Sequence, residues 1–429
     1  MPSRADITYF GAGPAALPTD VLERAAQALV DYKDTGLGIA EHSHRSDLAA
    51  GIIYEAEADL TSFLDLPSKK EHHVLFMQAG GTGEFAAVVY NLVGSWVERQ
   101  MFDAVQSGEL ARGAPEDVVA EVLRPRLAGL KVDYIITGRW SLKAYEEAER
   151  LLGPEHVNVA ADARTASPDG KFGSIPDEST WKLSDDAAFV YYCDNETVDG
   201  VEFPAFPDSL RPREDGEGFP IVVADMSSNI LSRRIDIRNF SVVFFGAQKN
   251  LGSTGVTVAI VKHRLLSRPS PSLLRRLGLP VGPRVLSYET ICRHGSLYNT
   301  LSIFDVYIAG QVLKKLLATY PTDKIDGQEA VSAKKAALIY GALDAHPAIY
   351  RVVPDAAVRS RMNICFRVTK NGIDERGSEK EFLDQATARG LLGLKGHRMV
   401  GGIRASNYNS ITLEGAQKLA AFIEEFAKA

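Results

Sequence analysis

Apolar residues fall into two rhythms along this chain. Short unbroken runs of branched, aromatic and aliphatic residues stand at 74–77, 132–136, 188–193, 221–224, 242–245 and 256–261, with VNVAA at 157–161 a weaker one. Runs of this length, bounded by turn residues, read as strands buried on both faces. Between them, apolar positions recur every three or four residues, the helical period. Val21, Leu22, Ala25, Ala26, Leu29 and Val30 form one such face, on a helix opening at Thr19 or Asp20 and stopping around Asp34-Thr35-Gly36. Leu48, Ile52, Ala56, Leu60 and Phe63 form the next, and helices follow over 84–92, 142–152 and 302–319. Residues 94–130 are charged and helical in pattern.

Strands alternating with helices through about residue 265 predict a mainly parallel sheet with helices on both faces. The helix at 302–319 then links to two more strand-like stretches, RVVPD (351–355) and NICFRV (363–368), and to helices near Glu379 and Leu413. These predict a smaller α+β domain. The expected division is an N-terminal segment (1–18), a large domain (19–300), and a linking helix with a small domain (301–429). A length of 429 residues fits two domains.

In open α/β sheets ligands sit at the carboxyl ends of strands, so the residues just past each run carry the chemical argument. Val242 to Phe245 lead into Gly246-Ala247-Gln248-Lys249-Asn250. A lysine on a tight connection between two inward strands is partly desolvated, which favours the neutral amine, the nucleophile that a Schiff base requires. Asp225 ends the run IVVAD. Pyridoxal phosphate needs a lysine for its aldehyde and a carboxylate for its ring nitrogen, and Lys249 with Asp225 supplies both. Gln78-Ala79-Gly80-Gly81-Thr82-Gly83 sits between a strand and a helix, a general solution for holding a phosphate. It lacks the Lys-Ser/Thr ending of a nucleotide P-loop. Trp140 ends another run in Gly138-Arg139-Trp140-Ser141, with Ser141 a candidate helix cap, and its ring could stack on a planar cofactor or pack in the core. Thr197 lies in the polar stretch 194–200.

Two further stretches suit an anion. Glu41-His42-Ser43-His44-Arg45-Ser46 precedes a helix and reads either as a solvated entry or as an anion site. Residues 395–406, KGHRMVGGIRAS, set His397, Arg398 and Arg404 among glycines, mobile enough to clamp a carboxylate or phosphate. By contrast, GAGPAA at 11–16 has dinucleotide-like spacing, but Pro14 and Pro18 delay the helix that such a site needs, so nicotinamide is not expected.

Charge and cysteine content narrow the classes. Forty-eight basic against 55 acidic residues give a formal charge of −7, which argues against nucleic acid as a partner. The three cysteines, Cys193, Cys292 and Cys365, are scattered, so neither a disulfide framework nor a metal site is expected. No apolar run is long enough to span a bilayer, and the first residues lack a signal-peptide core. A cytoplasmic protein is expected.

With these residues in view, the chain resembles the phosphoserine aminotransferases, fold-type I pyridoxal-phosphate enzymes of the class-V aminotransferase family. The resemblance spans nearly the whole chain, in FGAGPAALP, HSHRS, GGTGEFAAV, TGRWS, NETVDG, ADMSS, GAQKN, YNT and GHRMVGGIRAS. It implies a large domain with a mainly parallel seven-stranded sheet and a smaller C-terminal α+β domain. It implies that Lys249 carries the cofactor and moves the substrate proton, while Asp225 pairs with the ring nitrogen. Trp140 would stack on the ring and Thr197 would bond near its phenolic oxygen. Gly81, Thr82 and Gln248 would hold the phosphate, joined by Asn299 and Thr300 from the partner in a homodimer. Arg404 would take the substrate α-carboxylate, and His44, Arg45, His397 and Arg398 the distal anion. The implied small molecules are glutamate, 2-oxoglutarate, phosphoserine and 3-phosphohydroxypyruvate. Thr82 departs from the arginine found in many bacterial members, which leaves its side-chain contact open. Other fold-type I enzymes, such as small-amino-acid transaminases or cysteine desulfurases, share Lys249 and Asp225, and so would a non-catalytic pyridoxal-phosphate module.

Overall fold

The computed structural model describes residues 3–211, 220–370 and 374–429. Seven apolar runs assemble into one sheet: β1 (His72–Met77), β2 (Val132–Ile136), β3 (Val157–Asp162), β4 (Val190–Cys193), β5 (Val222–Asp225), β6 (Val242–Gly246) and β7 (Thr257–Lys262). Their order is β1-β7-β6-β5-β4-β2-β3. Only β7 runs antiparallel to its neighbours, β1 and β6. The sheet is therefore seven-stranded and mainly parallel, as expected.

The runs are unbroken because both faces are covered. Along β6, Val242 and Phe244 enter one core while Val243 and Phe245 enter the other. Ala259 and Val261 of β7 likewise separate from Val258 and Ile260. A side-chain period of two with both faces apolar leaves few polar positions within a strand, and the buried Asp133 of β2 is satisfied by Asn158 and Ser184. Polar chemistry is consequently displaced to the strand ends.

Helices differ from expectation at two places. The helix expected over 84–92 runs over Gly80–Gln106, so the glycine-rich stretch forms its first turn instead of a loop before it. Glycine costs little there, because the first four N–H groups of a helix lack intrahelical partners in any sequence. The first helix spans Thr19–Val30 and buries Val21, Ala25 and Ala28. Leu29 and Val30, expected on its inner face, are 45% and 75% exposed. Helix Ile303–Thr319 matches the periodicity and lays Ile303, Val306, Ala309 and Leu313 into the core that also holds Ile52, Ala56 and Leu60. His72, which reads as a surface residue in the sequence, opens β1 and is buried.

The C-terminal residues form a three-stranded antiparallel sheet of Tyr350–Val352, Asn363–Val368 and Ile403–Ser406. Helices Lys324–Asp344, Glu375–Ala388 and Leu413–Lys428 pack around Phe366, Phe382, Phe422 and Phe426. The N-terminal strand Thr8–Tyr9 pairs in parallel with Leu391–Leu392. One buried cation fixes how this region meets the large sheet. Lys335 Nζ donates to the carbonyls of Asn407 (3.3 Å), Tyr408 (2.8 Å) and Ile411 (2.8 Å). The turn thus held sends Tyr408 Oη to the Ala12 carbonyl, and the Asn409 N–H to Asn250 Oδ1, beside Lys249.

Replacing Lys335 with methionine strands three buried carbonyls, and a loss on the order of 3 kcal/mol is expected. Urea unfolding of Lys335→Met against wild type measures it, and equal midpoints would show that the turn holds itself.

Candidate active site

A cavity of about 520 Å³ opens at the carboxyl ends of β1, β2, β4, β5 and β6. Its wall includes Gly81, Thr82, Trp140, Thr197, Asp225, Gln248 and Lys249 from the large domain, and His397 and Arg404 from the small one. Nine of the residues expected at the site are brought together here.

Asp225 closes β5 and is 5% exposed. Its Oδ1 accepts the Ser227 N–H at 2.8 Å. No described cation pairs with it, and burial pushes its carboxyl up, opposed by Ser227 and by the charge of Lys249. Lys249 is half-buried and donates from Nζ to Thr197 Oγ1 at 2.9 Å. The Thr197 carbonyl accepts from Arg404 Nη1 at 3.2 Å. One residue thus spaces the lysine and the arginine.

Trp140 does not sit on a strand end but in the first turn of helix Arg139–Leu152. Ser141 is not the cap expected from the sequence. It lies inside the helix, and its Oγ accepts the N–H groups of Thr137 and Gly138. The helix start is held instead by two carboxyls that sequence reasoning passed over. Glu196 Oε2 accepts the Trp140 N–H, and Oε1 accepts the Ser141 N–H, both at 2.9 Å. The Ser141 hydroxyl donates to the same Oε1 at 2.6 Å. Asp199 Oδ2 accepts the Arg139 N–H at 3.0 Å. A carboxylate at a helix N-terminus meets orphan donors and the positive end of the helix dipole. Gly138 makes room, since a Cβ there would come within 2.3–2.6 Å of the Glu196 carboxyl. Burial, with the charge of Asp199 adding, pushes Glu196 up to about 7, and burial pushes Asp199 up to about 6. Both acids lie in NETVDG, where acid density beside Thr197 was the available signal.

The loop at 395–402, expected to be mobile, is tied at several points. Gly396 N–H donates to the Gly402 carbonyl at 2.8 Å, and the Val400 and Gly401 N–H groups donate to the His397 carbonyl. His397 Nδ1 accepts the Met399 N–H at 3.3 Å, which leaves Nε2 as the protonated nitrogen. Burial lowers the pKa of His397, and Arg404, Arg139, Arg398 and Lys143 add to the shift.

Five expected residues do not line this cavity: His44, Arg45, Asn299, Thr300 and Arg398. His44 and Arg45 precede Ser46, the cap of helix Asp47–Phe63, and Arg45 is exposed. Asn299 Nδ2 donates to Gln78 Oε1 at 2.9 Å, and Thr300 is exposed. Arg398 is exposed at the rim loop.

Residues 131–419 match the model of the family described as "Aminotransferase class-V". This chain belongs to that family. It is 40% identical to the phosphoserine aminotransferase of Saccharomyces cerevisiae over 99% of this chain and 98% of that one. Its fold matches a phosphoserine aminotransferase from Bacillus circulans subsp. alkalophilus (TM-score 0.77, 35% identity, 98% of both chains covered). A phosphoserine aminotransferase from Trichomonas vaginalis, solved with pyridoxal phosphate bound, matches with a TM-score of 0.77 at 31% identity, over 97% of this chain and 99% of that one.

Class-V aminotransferases use pyridoxal phosphate, and the polar groups around this cavity fit it. Asp225 is a buried carboxyl with no cation, the complement of a protonated ring nitrogen. Among the described residues, the N–H groups of Gly81 and Thr82 have no acceptor, as a phosphate requires. A Cβ on Gly81 would sit 3.7 Å from Ser227 Oγ and 4.0 Å from Asp225 Oδ2, so this backbone approaches the cavity floor. Trp140 Nε1 is buried without a partner.

The two capping carboxyls carry a pH signature. An acid held above its unfolded pKa keeps its proton in the native chain after the unfolded chain has lost it, so stability falls as pH rises through that window. For Glu196 the window runs from its ordinary 4.5 to about 7. Glu196→Gln is expected to flatten that part of the stability profile. It should also weaken retention of the cofactor, because the amide N–H₂ confronts a helix N–H. Urea midpoints and cofactor absorbance across the window read both, and an unchanged slope would count against a titrating cap.

Proposed function

We infer that this chain reversibly transfers the amino group of glutamate to 3-phosphohydroxypyruvate in a ping-pong course. The products are O-phosphoserine and 2-oxoglutarate, and the setting is serine biosynthesis. The observation that carries this reading is one cavity in which Lys249 and Asp225 face His397 and Arg404. The 40% identity over nearly the full length to a phosphoserine aminotransferase supports the substrate.

Bound pyridoxal phosphate supplies a carbonyl carbon that exchanges nitrogen with amino acids, and a cationic ring that accepts the electron pair released at Cα. Everything else falls to this chain. Asp225 keeps the ring nitrogen protonated, because a buried carboxylate without a cation gains most by pairing with one. Lys249 Nζ holds the cofactor at rest and, once displaced by substrate, takes the proton from Cα and returns it on the far side of the exchange. Thr197 Oγ1 orients Lys249, and Trp140, its backbone fixed by Glu196, would stack on the cofactor ring. The Gly81 and Thr82 amides and Gln248 hold the phosphate. Arg404 takes the α-carboxylate, its position set by the Thr197 carbonyl, and a planar guanidinium suits that group.

Glutamate and phosphoserine each carry a second anion beyond Cα, so one cationic subsite serves both half-reactions. Arg398 supplies its charge and His397 a neutral Nε2–H donor, both from the chain's own small domain. His44, Arg45, Asn299 and Thr300 lie away from this chain's cavity and serve the site of a second copy, which makes the homodimer the active unit. The thiols take no part: burial pushes Cys193, which lines the cavity, well above its ordinary pKa, and raises Cys365 to about 12. Among the described residues no helix is long and apolar enough to cross a membrane.

Phosphoserine and glutamate are expected to convert the bound cofactor rapidly from its aldehyde-derived to its amine absorbance, while alanine and serine do not. Conversion by alanine or serine would replace the substrate assignment. Lys249→Ala should retain cofactor yet lose turnover, and Asp225→Ala should retain it weakly and deprotonate Cα slowly. Mixing Lys249→Ala chains with chains disabled at Arg45, Asn299 and Thr300 should restore about a quarter of wild-type activity, because half the dimers gain one intact site. No restoration after subunit exchange contradicts the shared site.

A further inference from the structure

Cations on this surface divide into two groups. In the cleft lined by Arg233, Arg234, Arg359 and Arg361, each guanidinium is paired with carboxylates: Asp194, Asp65 and Asp326, Asp344, and Glu202 with Glu329 respectively. That cleft is internally neutralised and offers no charge to a ligand. Around His397 the pattern reverses. Arg139, Lys143, Arg398 and Arg404 make no ion pair with any described residue.

Lys143 and Arg398 are exposed, where an unpaired cation costs little. Arg139 is different. It is half-buried, its Nε is buried, and its guanidinium donates to no described residue. Its backbone is fixed beside the cavity, because its N–H is bound by Asp199 and the next residue is Trp140, which lines the wall. Lys143 Nζ lies 4.6 Å from the centroid of the Trp140 ring, so a second unpaired cation stands against this lining residue. Asp199 accepts the Arg139 backbone N–H without closing an ion pair with its side chain. A half-buried guanidinium without a partner is unfavourable unless something else supplies the anion.

We propose that Arg139 is a substrate-binding residue whose guanidinium joins His397 and Arg398 at the distal anion and favours a phosphate over a carboxylate. This rests on the transamination reading above and extends it to substrate discrimination. A phosphate monoester carries nearly two charges at neutral pH and three acceptor oxygens, whereas the glutamate side chain carries one charge and two. A guanidinium fork can bond two oxygens of the phosphate and leave the third for His397 and Arg398. With the smaller carboxylate, the His397 Nε2–H and the Arg398 guanidinium satisfy the ligand and Arg139 adds little.

The test is a pair of half-reactions, with phosphoserine and with glutamate, followed by absorbance in wild type, Arg139→Gln, Arg139→Met and Arg139→Lys holoenzymes. In Arg139→Gln the half-saturating phosphoserine concentration should rise roughly 10- to 100-fold, as expected for a lost bond to a charged group. The value for glutamate should move less than about 5-fold, since its distal group keeps its other partners. The limiting rates and the resting absorbance should be unchanged, and Arg139→Lys should recover part of the phosphoserine loss. Equal weakening of both substrates, or no change in their ratio, overturns the proposal. Arg139→Met reads the same ratio if the glutamine variant loses cofactor. Failure of the wild type to convert with phosphoserine would refute the reaction itself, which separates that outcome from a failure confined to Arg139.

Discussion

Asp225 is a buried carboxyl delivered to the end of a strand, on a cavity wall, with no described cation paired to it. The sheet makes this possible. With both faces of β5 and β6 apolar, the first place a polar side chain can stand is at or beyond the strand's end, where Asp225 closes β5 and Lys249 stands on the turn after β6. The rest of the cavity shares the same incompleteness. The Trp140 indole N–H, the first amides of helix Gly80–Gln106 and the Arg404 Nε each have a valence that the protein leaves open. Buried polar groups are satisfied almost everywhere in folded chains, so open valences gathered around one volume describe the ligand by its complement.

How far the sequence could be read follows from the range over which each signal acts. Strands were legible because their apolar runs are local, and Lys249 and Asp225 were legible because each directly follows a run. The glycine-rich stretch was legible as a phosphate cradle but not as the first turn of a helix, since glycine's low propensity argues against helix. Packing of Phe85, Val88 and Leu92 further along the helix overrides it. Leu29 and Val30 continue an apolar period beyond the part of the helix that has a neighbour, and periodicity alone does not tell where packing stops. Glu196 and Asp199 were missed for a different reason. Acids in a polar stretch look solvated, and their role depends on a helix start that lies far away in sequence. Of the five expected residues outside the cavity, Asn299 and Thr300 came from motif resemblance alone, while His44, Arg45 and Arg398 were read from local charge, which does not tell which cavity a side chain lines.

Thr197 is where the two domains meet chemically. Its hydroxyl serves the lysine of the large sheet and its carbonyl serves the arginine of the small one. The two cations are therefore referenced to one residue rather than to each other. The distance between Lys249 and Arg404 is consequently insensitive to small shifts elsewhere in the interface.

The pairing of Thr8–Tyr9 with Leu391–Leu392 has a consequence for timing. Synthesis completes the large sheet at Lys262, and its core can condense while the ribosome is still at work, as N-terminal regions generally do. The segment that follows Tyr9, including Gly13 on the cavity wall, has its strand partner only when nearly the whole chain has emerged. Its anchor on Tyr408 arrives later still. A segment made before the sheet thus settles after it.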